Sequence, residues 1–232
     1  MSFNSYQLKY IALISMIIDH SAVVFRSSLK EPVYLSMRCL GRIAFPLFCF
    51  VLVEGFFHSS NRNRYLGRLL FFTALSEIPF DLVLKGSIWN VMNHPSWRTV
   101  MDWSVQNVFL TLSLGFAAMM VMERYQNYYP RILLIVIAFS FAGEILHCDY
   151  GSTGVATILL FYLIRKYCRL PLIGAYLPLL VMGILSRIQL FCILSYPFLE
   201  RYNGEKGRGS RYFFYIAYPA HLLLLLFLKY GL

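Results

Sequence analysis

The sequence predicts an all-α fold: a polytopic integral membrane bundle of eight or nine transmembrane helices with its amino terminus in the cytoplasm. Three observations carry this. Hydrophobic residues make up 59% of the 232 positions and charged residues 14%, with 20 Phe and 17 Tyr and a mean hydropathy of +0.61. That is more apolar surface than one soluble core can bury. Several apolar runs approach the ~20 residues that cross a bilayer as helix. Lys and Arg gather in alternate connections, as membrane topology requires.

The first run, 8–27, contains Asp19 and His20 and ends in Val-Val-Phe-Arg instead of a small-residue cleavage site, so it reads as a retained helix, not a signal peptide. The runs 37–57, 64–84, 104–123, 131–147, 150–166, 170–184, 186–200 and 211–230 follow. The stretch 170–200 is long for one crossing and short for two; Ser186-Arg187 near its middle favours two short helices, hence nine spans, with eight as the alternative. Even-numbered connections hold Arg62, Arg64, Arg68, Arg124, Arg131, Arg165, Lys166, Arg169, Arg201, Lys206, Arg208 and Arg211. Odd ones hold Arg26, Lys30, Arg38, Lys85, Arg98 and Arg187, so twelve charges against six place the amino terminus inside.

The net charge of +10 belongs to these connections and gives no case for nucleic acid. The cysteines at 39, 49, 148, 168 and 192 have no metal or disulfide spacing, and no metal is expected. The chain reads as one domain, 1–232. Its longest non-helical stretch, Lys85 to about Trp103, is expected on the outer surface as an interfacial loop or lid. No internal repeat is apparent, which weakens a secondary-transporter reading.

Function is expected where polar groups enter the spans, because an intramembrane ionisable residue must be paired or hydrated. Asp19, His20, Arg42, Glu77, Asp81, Asn107 and His221 are all expected between the midplane and the outer leaflet. Asp19 and Arg42 make the favoured ion pair. Consecutive helix positions diverge by roughly 100°, so Asp19 is badly placed to orient His20, and Glu77 is the expected orienter by depth. Lys9 precedes His20 by eleven residues, close to three turns, on one face and about 16 Å apart. A cytosolic anionic donor is thus able to leave phosphates near Lys9 and thread a slim arm toward His20; an orientation signal is the plainer reading of the same Lys. Pro46 frees a carbonyl in mid-span, which fits either a cavity border or a simple kink. Arg62, Arg64 and Arg68 form either a topology signal or a phosphate rim, and Tyr202-Asn203-Gly204-Glu205-Lys206-Gly207 is either a phosphate-contacting turn or a plain loop.

Several segments, in this order, resemble the TraX family of membrane proteins, named for the conjugative pilin acetylase. They are Met16 to His20; Gly41 to Phe48 with Glu54-Gly55-Phe56-Phe57-His58; Arg68 to Phe80; Asn107 to Thr111; Asp149-Tyr150 with Gly154; Tyr202 to Gly207; and Tyr218-Pro219-Ala220-His221. The chain is also remotely similar to transmembrane acyltransferases through the spacing of Lys9 and His20. The resemblance implies acetyl transfer in the cell (inner) membrane from cytoplasmic acetyl-CoA to an amine or hydroxyl of an exported or membrane-bound peptide or glycan, in the founding case the amino terminus of pilin. On that expectation His20 is general base or acylated nucleophile, Asp19 fixes Arg42, and Arg42 or His221 stabilises the oxyanion. Lys9, Arg62, Arg64 and Arg68 then hold donor phosphates. The rival expectations are a channel or transporter and a structural partner in a surface or secretion assembly.

Overall fold

The computed structural model describes residues 2–84, 103–125, 128–167, 171–184, 187–210 and 212–231. Among them the regular structure is helical, apart from isolated bridges between Phe3 and Tyr202 and between Gln106 and Cys148. Among the described residues three runs are long and apolar enough to cross a membrane: Ser5–Val24, Glu31–Phe57 and Phe213–Tyr230. Most of the expected Lys85–Trp103 loop, and Cys168, Arg169, Ser186 and Arg211, lie outside the described residues.

Helix α1 (Ser5–Val24) starts three residues before the expected span because Asn4 and Gln7 form a reciprocal cap, each side chain accepting the other's backbone N–H at 3.0 and 2.9 Å. The expected span 37–57 is two helices, α2 (Glu31–Gly41) and α3 (Ala44–Phe57), broken at Arg42-Ile43. Pro46 sits in the first turn of α3, where a missing N–H is tolerated, and the carbonyl it would have engaged is that of Arg42. The break therefore falls four residues before the proline, and Arg42 is its hinge.

Helices α4 (Arg62–Leu84), α5 (Val108–Arg124), α6 (Tyr129–Ile145) and α7 (Gly151–Tyr167) follow the expected spans closely. Asn107 caps α5 by accepting from the Phe109 N–H at 3.0 Å. Helix α8 (Pro171–Gly183) matches the span 170–184, but the span 186–200 is corrected. It is a 3-10 segment, Gln189–Ser195, followed by the five-residue helix α9 (Tyr196–Glu200). The Ser195 hydroxyl donates back to the Cys192 carbonyl at 2.7 Å, and Pro197 has no N–H to offer the Ile193 carbonyl, so an α-helical ladder does not form here. Helix α10 (Phe213–Tyr230) ends at Gly231, whose φ of +68° is the left-handed cap that glycine supplies.

The core lies between α1, α3, α5 and α7, with Leu8, Phe45, Leu47, Phe56, Phe116, Met119, Ile158 and Tyr162 fully enclosed. Leu133, Leu134, Ile137 and Phe141 of α6 and Leu223, Leu224, Phe227 and Leu228 of α10 instead point outward. Such an apolar exterior fits hydrocarbon as the surrounding solvent. At the end of the bundle where the chain begins, the loop 201–209 clasps the amino terminus. Phe3 N–H donates to the Arg201 carbonyl at 2.8 Å, Asn203 N–H to Phe3 at 2.9 Å, and Tyr6 Oη to Gly209 at 2.7 Å. Gly204 and Gly207 turn this loop at φ of +81° and +76°.

Candidate active site

A chamber of about 280 Å³ opens between α1, α2, α3 and α4, the 104–108 segment, the turn 149–150 and Tyr218 of α10. Asp19, His20, Arg38 and Arg42 line it. Asp19 Oδ2 accepts from Arg42 Nη2 at 2.5 Å and from Arg38 Nη1 at 2.7 Å, so the carboxylate is clamped by two guanidiniums four residues apart on the α2 hinge. Arg42 Nε also donates to the Arg38 carbonyl at 3.3 Å, leaving Nη1 without a partner among the described residues. The clamp requires Gly41, since a Cβ there would fall on the Asp19 carboxylate.

His20 faces α10. Its Nδ1 lies 2.7 Å from His221 Nε2, and His221 Nδ1 lies 3.0 Å from the Ala217 carbonyl. The carbonyl accepts only, so His221 carries its proton on Nδ1 and presents a bare Nε2. That nitrogen in turn accepts from His20 Nδ1–H, which leaves His20 Nε2 as a lone pair, a tautomer assigned from the bonding chain. Glu77 is not the orienter: its Oε2 takes the Asn107 side-chain amide and, at 3.3 Å, the Asn107 N–H. Asn107 caps α5, so Glu77 fixes the start of that helix instead of the imidazole.

Asp149 and Tyr150 close the chamber on a third side. The Tyr150 ring stacks on Phe45 with centroids 3.7 Å apart and planes at 9°. Burial pushes the Asp149 carboxyl up to about 6, against the opposing pull of the Arg42 guanidinium. Arg38, Asp149 and Tyr150 were not assigned chemical roles from the sequence. The four-residue spacing of Arg38 and Arg42 was the available signal for the first.

A narrow apolar neck of about 80 Å³ adjoins the chamber, sharing Met16, Phe48, Val108 and Tyr218 with it. The neck in turn shares Lys9, Val51, Tyr65 and Tyr215 with a mouth of about 300 Å³ at the amino-terminal end of the bundle. Lys9, Arg64, Arg68 and Lys206 line that mouth, and among the described residues none of the four is in an ion pair. Its carboxylate, Glu54, is already held by Arg165 Nε at 2.7 Å. Arg62 is not among the residues that line the mouth: it lies over the Phe56 ring at 4.0 Å and 3.8 Å from Glu123. Lys9 and His20 thus stand at the two ends of one line of cavities, with Arg64, Arg68 and the 202–207 turn around the first.

The family model described as TraX protein matches residues 4–229. A relative from Dichelobacter nodosus, named "Probable fimbrial assembly protein FimC, serogroup H1", is 34% identical over 239 residues, covering 96% of this chain and 94% of its own. No solved structure matches the chain. With the family model spanning nearly the full length and a relative 34% identical over almost all of both chains, the chain belongs to the TraX family.

Proposed function

We propose that the protein is a membrane-embedded acetyltransferase that takes acetyl-CoA from the cytoplasm and acetylates an amine or hydroxyl of an acceptor in surface-filament assembly. The observation that carries this reading is the line of adjoining cavities from an unpaired basic mouth, through an apolar neck, to the chamber that His20 lines. Cations without carboxylate partners call for an anionic ligand, and Lys9, Arg64, Arg68 and Lys206 suit the donor's phosphates. The neck suits its slender arm and is too small for its nucleotide. The name of the fimbrial relative supplies the setting for the acceptor.

The thioester then lies in the chamber. His20 Nε2 takes the proton from the acceptor as its nitrogen or oxygen attacks the acetyl carbon. The charge that His20 gains is shared along the bond to His221. The new carbon–nitrogen or carbon–oxygen bond forms as the carbon–sulfur bond breaks, and the proton on His20 passes to the departing thiolate. Arg42 Nη1 stabilises the oxyanion, while Asp19 holds the guanidinium still. We take the chain to cross the inner membrane nine times with its amino terminus inside, the eighth passage being the short stretch of Gln189–Ser195 and Tyr196–Glu200.

The test uses purified protein in detergent with labelled acetyl-CoA and a crude pilus-subunit acceptor. Acetyl-CoA should raise the thermal midpoint, since a ligand bound only by the folded state must do so. His20→Ala should keep that shift and lose transfer by about 10²–10⁴-fold. Full transfer by a folded His20→Ala chain would sink the assignment.

A further inference from the structure

A further cavity of about 340 Å³ lies behind the chamber, in the turn between α6 and α7, at the opposite end of α7 from Arg165 and the basic mouth. It shares Ser104, Val105, Asp149 and Tyr150 with the chamber, so those four residues form a common wall. We propose that this vestibule is the acceptor's port, opening on the face opposite the basic mouth and admitting a neutral or cationic hydrogen-bond-donating end that Asp149 receives. The proposal rests on the acetyl-transfer reading, because a donor arm in the neck leaves a second substrate only another way in.

Charge and architecture both support the assignment. Among the described residues the vestibule is lined by the carboxylates Glu144 and Asp149 and by His147, beside the neutral Cys148 and Tyr150, and by no Lys or Arg, the reverse of the mouth. An anionic end would meet repulsion where the donor's phosphates meet attraction. Among the described residues Asp149 has neither a hydrogen-bond nor an ion-pair partner, although it borders both cavities. The surrounding turn is built and held open. Gln106 N–H donates to the His147 carbonyl at 2.7 Å, tying the 104–106 segment to the turn. His147 stands at φ +50°, in the left-handed turn that closes α6, where the Cys148 N–H donates to the Gly143 carbonyl at 3.0 Å. Glu144 Oε2 accepts from the Ser152 N–H at 2.9 Å, and the Phe45–Tyr150 stack stiffens the wall.

Thiol labelling tests the port without any turnover. Val105→Cys is made in a chain whose native cysteines are replaced by Ser and is reconstituted in vesicles of known orientation. Impermeant methanethiosulfonates, one bearing a trimethylammonium group and one a sulfonate, are applied to one face at a time. The expected result is labelling from the face opposite the mouth, about tenfold faster for the cation, with the preference largely lost in Asp149→Asn. Should the cysteine-free chain not fold, Ser104→Cys in the native background, corrected for native thiol labelling, gives the same comparison. Labelling only from the mouth side, from neither face, or equally by both reagents overturns the proposal. The donor reading is untouched by that failure, since stabilisation by acetyl-CoA is measured separately.

Discussion

Replacing His221 by Phe keeps a flat ring beside Tyr218 and removes the acceptor of His20 Nδ1–H. His20 and His221 meet at 2.7 Å, and the bond behind them to Ala217 determines which nitrogen is bare. A buried donor left without a partner costs about 1–3 kcal/mol. If that cost falls on the tautomer and orientation that present Nε2 to the chamber, kcat should drop about 5- to 150-fold at 1.36 kcal/mol per tenfold. The KM for acetyl-CoA should stay put, because His221 is remote from the mouth. His221→Gln, whose amide oxygen accepts as Nε2 does, should recover part of the loss. Steady-state transfer of labelled acetyl groups by single and double variants reads this directly. In a His20→Ala background the His221→Phe change should add little, since the two residues act as one unit. Undiminished kcat in His221→Phe, or the same fold-loss with and without His20, would refute the hydrogen-bond chain.

Arg64→Ala and Arg68→Ala should each raise the KM for acetyl-CoA about fivefold, or about 1 kcal/mol, with kcat unchanged, whereas Arg62→Ala should leave both constants alone; initial-rate kinetics separates them. Gly41→Ala should lower the thermal midpoint, with a cost of at least about 1–3 kcal/mol from the clash with Asp19. Gly67→Ala, where a Cβ meets nothing within 4 Å, should instead be neutral or stabilising by about 0.8–1 kcal/mol, the ordinary helix gain. Asp149 contributes a pH dependence of defined sign. Its carboxyl sits at about 6 in the fold against 3.8 when free, so the folded chain binds more protons between those values. Stability should therefore rise as pH falls from above 6 toward 4, and Asp149→Asn should abolish that part of the rise in thermal melts.

The helices were largely legible because apolar run length and charged connections are local properties of the chain. Asp19 with Arg42 was legible as well: opposite charges at one depth in a bilayer must find each other. Arg38 looked like an end-of-helix topology charge, and only the hinge at Arg42 and the closeness of Gly41 to α1 bring it to Asp19. Glu77 was misassigned because depth alone ignores azimuth; α4 turns it toward the cap of α5. The separation of Arg62 from Arg64 and Arg68 had a visible sign, for the latter two are four apart on one helix face while Arg62 is about 200° from Arg64. The 3-10 stretch was hidden because the apolar content of 186–200 is that of a helix, and Ser195 and Pro197 decide otherwise.

The narrowness of the neck also bears on how the proposed enzyme would turn over. A thiol product whose nucleotide cannot pass the neck must withdraw through the mouth that admitted it. Spent and loaded donor would then compete for one doorway at every concentration of acceptor, while the acetylated product left by another. The rate would follow the cellular ratio of acetyl-CoA to free CoA, so that surface modification would report on the acetylation capacity of the cytoplasm.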